Sequence, residues 1–246
     1  SRRRHTRSLC DWSSDVCSSD LGILVGSGPS GTNAAAFTIS GTSAKITPGT
    51  GKELVVINNS TATLTLPIIA ESASGVTDVT YRGSNGYVSG IRASQITPST
   101  ANTYSGNTYV SGVRIYVNTT GTAVFGSGTA QKVFIYGNNG GQFLKGTSAS
   151  STETKDWYVI GNGWSESSSG TYYVAIRIDA GTIAGTLNLL GDTGVGASSG
   201  DGTLSAALSG NYILTKLGGR TITISGANTG WAGSYNVVSG RLAFST

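Results

Sequence analysis

The side chains best suited to metal or thiol chemistry are crowded into one end of the chain. SRRRHTRSLCDWSSDVCSSDL (1–21) holds the only two cysteines, Cys10 and Cys17, and the only histidine, His5. It also holds four arginines in its first seven residues, and nothing from Gly22 onward is Cys, His or Met. Cys10, Cys17 and His5 amount to three metal ligands at a spacing that fits no standard zinc pattern. A disulfide between the cysteines would close only its own short loop and tie down nothing else. Beyond residue 21 the missing His and Cys remove a Ser-His relay and the usual zinc and iron ligands.

Acid–base chemistry needs carboxylates a few ångströms apart, and glycosidic hydrolysis needs two of them. Asp179, Asp192 and Asp201 are the nearest approach to a set, while Glu71 and Asp78 stand alone. Asp192 and Asp201 both fall in GDTGVGASSGDG, which reads as a mobile surface loop and matches calcium-binding repeats poorly. These residues read as solvated turn carboxylates, so no catalytic, cofactor-binding or metal residue is assigned. The aromatics Trp157, Tyr158, Trp164, Tyr172 and Tyr173 flank a Ser-rich segment. Exposed rings stack on sugar faces and would make a glycan contact. The plainer use is aromatic cover or cross-strand pairing.

The elements available to position these groups are short strands. ELVVI (53–57), ATLTL (62–66), VRIYV (113–117), KVFIY (132–136), YYVAIRI (172–178), TITIS (221–225) and RLAFS (241–245) are β-branched or aromatic runs bounded by Gly, Asn, Ser and Thr. No segment carries the capped three-to-four-residue apolar period of a helix. KGTSASSTETKD (145–156) is the longest apolar-free stretch and reads as an exposed loop. With 37 glycines, 4 prolines and 11% charged residues, the composition is that of an extended all-β chain with many tight turns. Asn85-Gly86, Asn139-Gly140 and Asn162-Gly163 favour hairpins and an antiparallel sandwich.

An internal repeat favours a solenoid instead. ANTYSGNTYVSGVRIY (101–116) and ANTGWAGSYNVVSGRLAF (227–244) agree in order once the second is allowed two extra residues. A repeated strand–turn unit cannot bury its apolar face alone and gains stability by stacking on its neighbours. Three carboxylates 13 and 9 residues apart then fall within less than one coil each and cannot stack in register.

YILTKLGGRTITISGANTGWAGSYNVVSGRLAFS (212–245) closely resembles the autotransporter-associated β-strand repeat, and STANTYSGNTYVSGVRIYVNTTGTAVFGSG (99–128) looks like a second copy. The resemblance covers about a quarter of the chain and departs from the family pattern around Trp231–Val238. It implies a right-handed parallel β-helix over 22–246, forming an elongated stalk on the extracellular or outer-membrane surface of a Gram-negative-type bacterium. It also implies that the chain is a fragment lacking at least one end, covered in the full protein by other coils of the same chain. Residues 1–21 are similar to one reading frame of a short-read sequencing adapter, and are expected to be non-native and to pack poorly.

Residues 22–246 carry 12 Lys/Arg and 9 Asp/Glu, scattered singly, which gives no stripe for nucleic acid. No apolar run is long enough for a membrane span. The function expected is therefore a non-enzymatic, secreted or surface-displayed scaffold or adhesin, without a cofactor, whose partners are surface glycans or a neighbouring cell. The alternatives are a polysaccharide-active β-helix enzyme, marked by clustered carboxylates in a groove, and a glycan-binding module, marked by an exposed aromatic row.

Overall fold

Alternation decides which way each residue of a short β-branched run faces. In Glu53–Asn58 the residues Leu54, Val56 and Asn58 are buried while Glu53, Val55 and Ile57 face out. Such a strand buries one face only, so it needs a neighbour on each side and a second sheet beneath it. In the computed structural model those needs are met by in-register parallel stacking. It describes residues 22–26, 37–39, 44–50, 52–84, 87–88, 91–92, 94–128, 130–165 and 173–245. Residues 1–21, with Cys10, Cys17 and His5, lie outside this set.

The architecture is an all-β parallel solenoid with three faces. The first face stacks Gly22–Val25, Glu53–Asn58, Asp78–Gly83, Thr108–Ser111, Lys132–Tyr136 and Thr152–Gly161, then Thr182–Gly196, Ala207–Gly210 and Gly230–Trp231. The second stacks Phe37–Thr38, Thr63–Thr65, Gln95–Thr97, Arg114–Val117, Gln142–Lys145 and Ile176–Ile178, then the end of Thr182–Gly196, Ile213–Leu217 and Ser234–Val237. The third begins with Lys45–Ile46 beside Ile68–Ile69 and the Ala101–Ala123 bridge. It continues through the starts of the two long strands to Gly202–Leu204, Thr221–Ile224 and Arg241–Phe244. Parallel ladders of this kind exclude the antiparallel sandwich.

Register turns the interior into columns. Leu54, Val79, Thr108, Val133, Trp157, Leu187 and Leu208 follow one another up the first face, all buried. Leu64, Ile96, Ile115, Phe143, Ile176, Val195 and Lys216 do the same on the second. Each buried Val, Leu or Ile contributes roughly 1.5–3 kcal/mol, which is how many short strands sum to one core. Phe143 lies nearly parallel to Trp157 at 5.6 Å, with Phe125 edge-on to both, filling the wide middle of the solenoid.

Coils of unequal length share this stack. A full turn takes 33 residues from Phe143 to Ile176 and 32 from Thr63 to Gln95, but 21 from Thr193 to Leu214 and again from Leu214 to Tyr235. In the two longest of these coils extra chain lies at the corner between the first and second faces. Two antiparallel hairpins arise there: Tyr87–Val88 with Ile91–Arg92, and Trp164–Ser165 with Tyr173–Val174. Asn139-Gly140 and Asn162-Gly163 also mark this corner, the first as a bend into the next face and the second as the bend that leads into Trp164–Ser165, neither as a hairpin turn; Gly140 and Gly163 have φ of 73° and 83°. Asn85-Gly86 lies outside the described residues.

Several sequence expectations are corrected. Residues 145–156 are not a loop, since Gln142–Lys145 and Thr152–Gly161 leave only six residues between strands. Glu153 and Lys155 point inward, so a strand with charged core positions looked apolar-free. GDTGVGASSGDG is not a mobile loop either: Asp192–Gly196 completes the Thr182–Gly196 strand and Gly202 opens the next. The two sequence-repeat copies occupy different faces. Thr108–Ser111 and Arg114–Val117 lie on the first and second, whereas Ser234–Val237 and Arg241–Phe244 lie on the second and third. Intervening coils of unequal length shift the second copy by one face.

Corner asparagine works between coils as well as within them. Asn102 Oδ1 accepts the Ile69 N–H at 2.8 Å from the coil on one side, while its Nδ2 donates to Val124 O at 2.7 Å on the other. A buried amide that joins three coils replaces ladder bonds where the backbone turns away.

Candidate functional site

The outer surface of the first face is ordered by the same register as its interior. One row along the axis reads Glu53, Asp78, Asn107, Lys132, Asp156. The next reads Val55, Thr80, Tyr109, Phe134, Tyr158, Asn188, and the third Ile57, Arg82, Ser111, Tyr136, Ile160. Phe134 stacks on Tyr109 at 5.0 Å and 10° and on Tyr158 at 4.9 Å and 22°. These separations match the strand spacing, so the rings pile up along the axis and cover one another's faces. Both faces of Phe134 are spent in this way. Tyr136 lies nearly parallel to Phe134, at 6.5 Å and 12°.

The pile stops abruptly. Below Tyr109 comes the short Thr80, and below Tyr136 comes the short Ser111. Two tyrosine ring faces, stepped by one strand, therefore border an open groove of about 530 Å³. Its polar rim holds Glu53 and Asp78, which are register neighbours, with Arg82 and Asn139 across from them. Glu53 Oε1 accepts from the Thr80 hydroxyl at 2.8 Å, and Asp78 Oδ1 accepts the Asn107 N–H at 2.7 Å. Asp78 thus has a register partner, although the sequence left it isolated.

The aromatics chosen from sequence do not form one patch. Trp157 is fully buried and donates through Nε1 to Ala184 O at 2.9 Å, so it has no face for a sugar. Trp164 is also fully buried, with the Arg114 guanidinium 4.1 Å over its ring. With no exposed ring face, these two correct the glycan expectation. Tyr158 faces outward, but it lies in the pile, beside Phe134 and 5.6 Å from the Lys132 ammonium. Tyr172 and the side chain of Tyr173 lie outside the described residues. Tyr109 and Tyr136 were missed because only cross-coil register, invisible without the coil lengths, brings them together.

The aspartates have a common employment. Asp192 Oδ1 accepts the Ile213 N–H at 2.9 Å, and Asp201 Oδ1 accepts the Thr221 N–H at 2.8 Å. Asp179 accepts from Ser198 and Ser199 N–H groups and pairs with Arg177 at 2.7 Å. Each carboxylate satisfies an amide about one coil further on, where the ladder is interrupted at a bend. Asp179 is buried, so for it the solvated-turn expectation is corrected.

The interior holds a cluster of buried ionisable groups displaced from their ordinary titration. Glu153 is fully buried, on a column continued by Ile183 and Leu204. Burial pushes its carboxyl up to about 7, against the pull of Lys155, of Lys145 and of the Phe125 and Val124 amides. Lys155 Nζ donates to Gly126 O, Gly128 O and Gln131 Oε1 at 2.8, 3.1 and 2.6 Å, which closes the wide turn of the preceding coil. Burial lowers Lys155 and Lys145, and Glu153 opposes it. Tyr104, bonded to Thr108 at 2.7 Å, is raised by burial and then by Tyr81. The cluster is enclosed by the core and ties turns together; its position gives a substrate no approach.

Among the described residues no helix is long and apolar enough to cross a membrane. Comparison with family models, with curated proteins and with solved structures matched nothing.

Proposed function

We propose that this chain is a non-catalytic structural solenoid, part of an elongated stalk or adhesin scaffold displayed outside the cell. The observation that supports this reading best is the use of its acidic residues. Asp78, Asp179, Asp192 and Asp201 each hold a backbone amide of a neighbouring coil, and such groups serve the stacking of the solenoid. The resemblance of 99–128 and 212–245 to an autotransporter repeat adds the passenger role and the surface location. A stack of in-register coils gains stiffness from each neighbour and suits a stalk.

The test is an incubation of the folded protein with neutral and uronate-containing polysaccharides, followed by assays for new reducing ends and unsaturated uronates. No product above a heat-denatured control is expected. Product that disappears in a Glu53→Gln, Asp78→Asn double variant would replace the scaffold with an enzyme acting at the groove.

A further inference from the structure

We propose that the groove on the first face is a binding site for a neutral glycan, with Tyr109 and Tyr136 as stacking platforms. The inference rests on the scaffold reading in one respect only, that the site binds without cleaving.

Ring faces come first. A residue in the middle of the pile has both faces covered, but Tyr109 sits above Thr80 and Tyr136 above Ser111, so each keeps one face free. Tyr136 lies one strand, about 5 Å, further along the axis than Tyr109 and two residues further along its own strand, so the two faces are stepped diagonally and are reached together by an oligosaccharide of more than one sugar. Pyranose C–H faces stack on aromatic rings and leave their hydroxyls at the edge. At that edge lie Glu53 and Asp78, each with one carboxylate oxygen bound within the protein and the second left to accept from sugar hydroxyls. Arg82 and Asn139 line the groove as donors.

Charge selects among ligands that like aromatic faces. The two neighbouring carboxylates outnumber Arg82 and oppose an anionic sugar, and a polyamine lacks the C–H face that the two rings would stack on. A neutral hexose chain meets neither objection. The open groove admits the interior of a chain as well as its end.

Isothermal titration of the whole chain with neutral hexose hexasaccharides of α- and β-linkage, with a uronic-acid oligosaccharide and spermidine as controls, tests the proposal. At least one neutral hexasaccharide should bind, and the controls should not. Tyr109→Ala and Tyr136→Ala should each weaken binding about tenfold. Thr80→Phe should abolish it while preserving the fold, because a ring at that position continues the pile and fills the groove. Circular dichroism of each variant separates lost binding from lost structure. Failure of every neutral probe, undiminished binding by Thr80→Phe, or preferential binding of spermidine or the uronate overturns the site and leaves the scaffold reading untouched. Cleavage of a bound hexasaccharide would sink the scaffold reading and leave the site in place.

Discussion

Replacing Glu153 by Gln should flatten one stretch of the stability–pH profile. In the unfolded chain the carboxyl ionises near its ordinary 4.5, whereas burial in the fold raises it to about 7. Between those values the folded protein keeps a proton that the unfolded chain has released. Stability from this group is therefore complete below about 4.5, falls as pH rises through the window, and levels off above about 7. Moving the midpoint that far corresponds to about 3 kcal/mol. Glutamine fills the same space between Lys145, Lys155 and the Val124 and Phe125 amides without titrating. Urea unfolding at pH steps from 4 to 7.5 should show the wild type losing about 3 kcal/mol relative to the variant. Subtracting the two profiles removes the contribution of every other carboxylate. Coils can open locally, so hydrogen exchange at residues 124–125 and 153–156 provides the local reading. The lysines act in the opposite sense at higher pH: burial lowers both, and losing their protons relieves it. Parallel profiles below pH 7 would refute the argument, since they would mean that the carboxylate is ionised in both states.

Two further substitutions probe the corners. Lys216 Nζ donates to Leu217 O, Gly218 O and Ser239 O at 2.8, 2.7 and 3.1 Å; Leu217 O also accepts the Ala197 N–H, so Lys216→Met takes the ammonium from Gly218 O and Ser239 O, and a loss of about 2–4 kcal/mol is expected. Exchange should quicken at 213–217 and 234–237 while 53–58 keeps its protection. Gly163 has φ of 83°, and an added Cβ would lie 1.8 Å from Val174 O. Gly163→Ala should cost about 3 kcal/mol or more and expose Trp164, seen as a red shift in tryptophan emission.

The all-β class was legible because the runs of Val, Ile, Thr and Tyr satisfied one-sided burial by composition alone. Parallel stacking was legible only through the repeat, and even there the face assignment was hidden. ANTYSG and ANTGWAG look equivalent locally, but the number of residues between any two coils ranges too widely to fix their phase. Polarity misled in TSASSTETKD, where Glu153 and Lys155 occupy core positions: Lys155 bonds two carbonyls and Gln131 inside, and Glu153 feels the charges of Lys155 and Lys145. The aromatic choice failed for a related reason. Trp157 and Tyr158 are adjacent in sequence, so a strand sends them to opposite sides, and only knowledge of the inward side tells them apart. Tyr109 and Tyr136 carry no local mark at all: their neighbours in space are 25 residues away.

The unequal coils have a consequence for how such a molecule can change. Each strand adds about 4.8 Å along the axis whether its coil spends 21 residues or 33, because surplus chain is taken up between strands and not in the stack. The nine strands of the first face therefore span about 38 Å whatever is inserted between them. Reach is set by counting strands, and ornament by counting residues. A peptide inserted between Ser165 and Tyr173 would decorate the shaft without lengthening it. Deleting one whole coil would shorten the shaft by a fixed step, and the chain behaves as a ruler whose graduations are independent of what is hung on them.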